Sequence, residues 1–173
     1  MLRHIIGAAS FSILSCLTLS SLQARPQIEQ VALASHYAPG TIIISQSARR
    51  LFLIEPDGNT RSYPVAVGKA GKGWLGPARI NGKHVAPAWS PPADVKRDHP
   101  SLPNYIPGGV PQNPMGARAL TLDRSEIAIH GTSPSMRGSI GRAASYGCIR
   151  MLNEDVIDLF ERVQVGTPVV AVP

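Results

Sequence analysis

The sequence predicts a mostly β fold with one helix, and three observations carry that prediction. Apolar residues fall in short runs such as Ile42-Ile43-Ile44 and Leu51-Phe52-Leu53-Ile54, the length of strands rather than helices. Glycine and proline number 16 each, a usage that favours strands joined by turns and long shaped loops. Helical spacing of apolar residues is clear only beyond Asn153. At 173 residues the chain suits one domain plus a short appendage, and 43% hydrophobic against 16% charged residues favours a packed core over global disorder.

Residues 1–24 read as an export signal. Met1-Leu2-Arg3-His4 is short and positive, and Ile5 to Leu22 is uncharged and largely apolar with interspersed serines. Gln23-Ala24 then places a small residue at a cleavage point before Arg25-Pro26. A retained membrane anchor is the competing reading, but the run is only ~18 residues and marginal for ~30 Å of hydrocarbon. Lipidation of Cys16 is a second alternative, with Leu14 a poor fit to a lipobox. Membrane contact is expected only under one of these two. Cleavage leaves Cys148 as the lone cysteine, so no intramolecular disulfide can form. An unpaired thiol in an oxidising compartment is a liability unless it is deeply buried or has a task. Loss of Arg3 with the signal lowers the formal charge from +6 to +5. That balance suits an anionic partner. Nucleic acid is not expected, because the Lys and Arg residues are scattered and no nucleic-acid-binding signature is present.

Residues 25–40 show no sustained period and contain Pro26, Pro39 and Gly40, as a linker would. Residues 41–173 form the domain. Its first two strands, at Ile42 and at Arg50 to Ile54, are followed by an Asp57-Gly58-Asn59 turn and a third run from Arg61 to Val67, as in a meander. Gly68 to Gly76 is a glycine-rich loop without phosphate-loop spacing. Trp89 to Pro114 holds seven prolines, and Trp89, Tyr105 and Ile106 give it something to pack with, so an ordered flap is expected. Strands at Ala119 to Leu122 and Ile127 to His130 flank an Asp123–Glu126 turn. Asn153 is expected to cap a helix whose apolar stripe is Val156, Ile157, Leu159, Phe160 and Val163. Gly166 ends it, and Pro168 to Val172 is the last strand.

Chemistry concentrates between Ile127 and Asn153. That segment has no Asp or Glu but includes Arg137, Arg142 and Arg150, together with His130-Gly131-Thr132 and Ser145-Tyr146-Gly147-Cys148-Ile149-Arg150-Met151. Cationic surroundings are expected to lower the thiol pKa toward neutrality, and a nearby imidazole can hold the thiol proton and return it to a leaving group. Gly147 before Cys148 would let backbone N–H groups face a reacting carbonyl as an oxyanion hole. Taken singly, each residue has an ordinary reading: Cys148 a small buried hydrophobe, His130 a hydrogen-bonded strand end.

Together, His130-Gly131-Thr132, Ser139-Ile140-Gly141 and Ser145 to Met151 with Asp155 following resemble the catalytic signature of the L,D-transpeptidase (YkuD-type) family. Leu51-Phe52-Leu53, Val65-Ala66-Val67-Gly68, Trp89-Ser90-Pro91-Pro92 and Asn113 to Arg118 fall in the matching order, so the resemblance spans roughly Thr41 to Val172. It implies a sandwich- or barrel-like β catalytic domain with its clear helix after the cysteine. It also implies an exported enzyme of the periplasm and cell wall acting on peptidoglycan stem peptides. Cys148 would attack the diaminopimelate carbonyl of a tetrapeptide stem, expel D-alanine and pass the acyl group to an acceptor amine. His130 matches the base, its ring oriented by the Gly131 carbonyl, and N–H groups around Tyr146, Gly147 and Cys148 would hold the oxyanion. Arg150 resembles the arginine near stem carboxylates, with an ion pair to Asp155 as the alternative. Ser145 either holds the turn or meets substrate. Tyr146 stands where many relatives have a second histidine; a phenol of pKa ~10 cannot replace that base but can donate a hydrogen bond or pack on substrate. No cofactor is implied, and His36, His84 and His99 form no metal-binding spacing with Cys148.

Three alternatives remain open on sequence. Water instead of an amine would make the protein an L,D-carboxypeptidase or amidase. An outer-membrane protein or lipoprotein could be the acceptor. A non-catalytic wall-binding protein would leave Cys148 structural.

Overall fold

The computed structural model describes residues 36–173. The expected signal at 1–24, Cys16 and most of the linker at 25–40 lie outside the described residues. Ten strands and two α-helices follow in chain order: β1 Ile42–Ser45, β2 Arg50–Ile54, β3 Thr60–Pro64, β4 Val67–Gly68, β5 Gly76–Val85, α1 Ala93–Asp98, β6 Arg118–Leu122, β7 Ala128–His130, β8 Ala143–Ser145, β9 Ile149–Arg150, α2 Asn153–Arg162 and β10 Pro168–Val172. A 3₁₀ turn, Pro134–Ser139, separates β7 from β8. The fold is mostly β, as the sequence predicts.

Eight strands form one curved sheet in the order β3-β2-β1-β10-β5-β6-β7-β9, and β4 pairs with β8 beside it. Neighbours in the large sheet are antiparallel except β1 with β10 and β7 with β9. Both parallel pairs join segments remote in sequence, and the second builds the site. β1 is buried along its whole length, which is why it is a run of isoleucines rather than an alternating pattern. Ile42 and Ile44 join Leu51, Leu53, Val169 and Ala171 in the main core, while Ile43, Phe52 and Ile54 face the other side with Tyr37 and Val172. α2 covers the main core by inserting Val156 and Leu159 and packs on β6 and β7. Lys83 Nζ closes its far end by donating to the carbonyls of Phe160 (2.6 Å) and Val163 (2.7 Å), which have no acceptor role inside the helix.

Several expectations need correction. The run Arg61 to Val67 is two strands: β3 ends at Pro64, and β4 starts at Val67 in a different sheet. Ten-residue β5 escaped the sequence reading because Pro77 and Gly82 interrupt it and only Ala78 and Ile80 point to the core. The flap contains a short helix, α1, beside the clear helix α2. Asn113, 2% exposed, staples the flap by donating from Nδ2 to the carbonyls of Pro87 (2.9 Å) and Pro107 (2.8 Å). Ile157 faces solvent at 38% exposure instead of joining the buried stripe. Asn153 does not cap α2 but is its first residue, following Leu152. Its Oδ1 accepts from Ala117 N (3.0 Å) and Thr132 N (3.1 Å), and its Nδ2 donates to Thr132 O (3.0 Å), tying the entrance of β6 to the segment after β7.

Candidate active site

The site is built by the register of β7 and β9. Ile129 lies beside Ile149 and His130 beside Arg150. Side chains alternate along a strand, so Ile129 and Ile149 both point into the core at 0% exposure, and Met151 follows them. His130, Arg150 and Cys148 therefore share the opposite face. His130 and Cys148 are diagonal neighbours across the pair, a spacing of about 7–8 Å between backbones that side chains can bridge. Arg150 is held on its other edge by paired backbone bonds with Ala66 of 2.8 and 2.9 Å.

The turn before Cys148 is fixed from inside. Ser145 Oγ accepts the Gly147 N–H (3.1 Å) and donates to the Cys148 carbonyl (2.5 Å), so Ser145 holds the turn. The Gly147 N–H is thereby occupied by Ser145 and does not face the cavity as a free donor. Glycine is nonetheless required: φ is +125°, and an added Cβ would stand 2.8 Å from Ile127 Cδ1. The Gly147 carbonyl accepts from the Trp74 indole at 3.1 Å.

The electrostatics differ from the sequence expectation. Burial raises the Cys148 thiol above its ordinary value; the Ala128 N–H and Arg150 pull it down and Glu126 pushes it up, and burial prevails. Of the three arginines expected around the thiol, Arg137 pairs with Glu154 (2.7 Å) and Arg142 is exposed, leaving Arg150. His130 is 4% exposed and its pKa falls to about 4, first through burial and then through Arg150, against the carbonyls of Gly131 and Pro114. Its Nδ1 lies 2.8 Å from the Gly131 carbonyl. A carbonyl only accepts, so the neutral ring carries its proton on Nδ1 and keeps Nε2 as the basic nitrogen. Both shifts favour the neutral forms, thiol and imidazole, over thiolate and imidazolium. The thiol donates to the Glu126 carbonyl at 3.4 Å and not to the ring; Glu126 aims that carbonyl from a left-handed backbone, φ +60°.

Arg150 is 8% exposed and donates from Nη1 to Ser139 Oγ (2.7 Å), while Nε has no partner. No carboxylate, Asp155 included, pairs with it among the described residues, so the ion pair offered as the alternative is absent.

Cys148, His130 and Arg150 line one cavity of about 570 Å³, roofed by the flap through Trp89, Val95 and Ile106. Tyr146 also lines it, and its phenol ties the flap down: Oη donates to Asp98 Oδ2 (2.7 Å) and lies 3.3 Å from His99 Nε2. Lys69 Nζ sits 3.6 Å over the Tyr146 ring and 3.6 Å from Asp98, and Lys72 pairs with Asp94. The sequence reading missed Asp98, Lys69, Glu126 and Trp74 and placed Ser139 in the signature without a role. Of these only Trp74, a large aromatic within a glycine-rich loop, carried a signal that something packs there.

The chain is similar to known proteins in sequence and in fold. Residues 39–170 match the L,D-transpeptidase catalytic domain family, YkuD. The chain is 37% identical over 137 residues to "Probable L,D-transpeptidase ErfK/SrfK" of Escherichia coli (strain K12), covering 74% of this chain and 42% of that protein. It is 39% identical over 136 residues to "Putative L,D-transpeptidase YkuD" of Bacillus licheniformis, covering 78% of this chain and 67% of the relative. The fold superposes on an L,D-transpeptidase from Mycobacterium smegmatis with TM-score 0.60 at 20% identity, over 77% of this chain and 58% of that one. It also superposes on L,D-transpeptidase 3 from Mycobacterium tuberculosis in complex with a faropenem-derived adduct, with TM-score 0.59 at 15% identity, over 77% and 60%. The chain spans less than half the length of the Escherichia coli relative.

Proposed function

This chain belongs to the L,D-transpeptidase catalytic domain family, and from that premise we propose that it is an exported wall enzyme that rearranges peptidoglycan stems through a thioester at Cys148. The observation carrying the reading is the shared cavity wall: thiol, neutral imidazole and unpaired guanidinium stand on one face of two parallel strands.

Rotation of Cys148 about χ1 takes the thiol proton from the Glu126 carbonyl to His130 Nε2, and sulfur attacks the diaminopimelate carbonyl of a tetrapeptide stem. The S–C bond forms, the C–N bond to D-alanine breaks, and His130 returns the proton to the departing amine. An acceptor amine, on another stem or on an outer-membrane protein or lipoprotein, then displaces sulfur, and its proton passes through His130 to the thiol. Arg150 holds a stem carboxylate. Tyr146 serves the flap and meets substrate beneath it. Hydrolysis of the same thioester by water is the second reading, served by the same residues.

Incubation of the protein with tetrapeptide muropeptides, followed by mass analysis, tests this. Transfer predicts a cross-linked dimer with free D-alanine, hydrolysis a tripeptide with free D-alanine and no dimer. Cys148→Ala is expected to abolish both, and undiminished D-alanine release from that variant would contradict the proposal.

A further inference from the structure

Cys148 needs an N–H aimed at the carbonyl it attacks, and the Gly147 N–H is already bound to Ser145 Oγ. The Cys148 N–H is left without an acceptor among the described residues. Its direction is set by the peptide that carries it, because in a trans peptide C=O and N–H point to opposite edges. That carbonyl, of Gly147, is bound by Trp74 Nε1 at 3.1 Å. We propose that Trp74 is a positioning residue for acyl transfer: by anchoring the Gly147 carbonyl inward, it holds the Cys148 N–H toward the cavity as an oxyanion donor.

The indole is itself fixed. Trp74 is 9% exposed within the main core, Gln46 Nε2 donates to its carbonyl (3.2 Å), and the Arg124 guanidinium lies 4.6 Å from the ring centroid. Trp74 does not line the cavity, so it acts through the peptide and not on substrate. An anchor is needed because glycine at φ +125° leaves the Gly147–Cys148 peptide free to flip, which would present a carbonyl oxygen to the oxyanion.

The inference rests on Cys148 being the acylated nucleophile, so the test separates acylation from simple thiol reactivity. Acylation by a carbapenem passes through an oxyanion; alkylation by iodoacetamide does not. Trp74→Phe keeps an aromatic ring and loses the N–H. It is expected to slow carbapenem acylation about tenfold or more, part of the 10²–10³ lost when an oxyanion donor is removed outright, with alkylation changed by less than about twofold. Should that variant not fold, β-(3-benzothienyl)alanine at position 74 keeps the indole shape without the N–H and is expected to give the same split. Equal effects on both rates, or none on either, would overturn the role of Trp74 while leaving the thioester mechanism standing. A wild-type protein that alkylates but takes no acyl group would overturn the mechanism and this inference with it.

Discussion

At the scale of single residues, the candidate thiol and imidazole are legible in the sequence and their protonation is not. A cysteine beside glycine, with a histidine upstream in the same motif, marks Cys148 and His130 as candidates by residue type alone. Whether the thiol is acidic depends on how much water three-dimensional packing removes and on which arginines turn inward. Burial of His130 with a pKa near 4 has a thermodynamic consequence. The unfolded chain takes up a proton at about 6.5 and the folded chain refuses it until about 4. Stability therefore falls as pH drops through that window, by on the order of 3 kcal/mol from this residue, and levels off below it. Urea unfolding at pH 7 and pH 4 should show a loss that is markedly smaller in His130→Gln. An identical loss in both proteins would mean that the imidazole is not held neutral.

At the scale of elements, long apolar runs were readable because periodicity reports burial directly: β1, β2, β10 and α2 stand where the pattern places them. β5, β8 and β9 were not, since their pairing comes from partners remote in the chain and their residues are small or polar. Asn153 shows why a local rule failed. A helix start preceded by a polar side chain reads as a cap, yet tertiary bonding captured that side chain and made it a clamp between β6 and the segment after β7. Gly116 and Gly131 complete the clamp, for a Cβ at either would stand 2.2 Å from Asn153 Oδ1. Asn153→Ala removes three hydrogen bonds and strands two backbone N–H groups, a loss of about 2–4 kcal/mol. Chemical denaturation is expected to show it, and activity to fall as well because Thr132, two residues after His130, loses its anchor. A change within error of zero would show that the clamp is dispensable.

At the scale of the whole molecule, the sheet order explains how a mostly β chain assembles a two-residue reaction centre. The path from β7 through the 3₁₀ turn and β8 returns to β9 in parallel, so His130 and Cys148 meet only when the edge of the large sheet is complete. The small sheet of β4 and β8 buttresses that edge, and the proline-rich flap closes over it through Tyr146, Asp98 and Lys69. None of this follows from local patterning, which records burial but not which strands become neighbours. The most direct measurement is the intact mass of the protein mixed with tetrapeptide stem in the absence of an acceptor amine, with proteolytic mapping of any adduct. The account predicts an added tripeptide acyl group on Cys148, formed about 10²–10⁴-fold more slowly in His130→Ala. D-alanine release with no adduct on Cys148, or an adduct that forms equally fast without the imidazole, would contradict it.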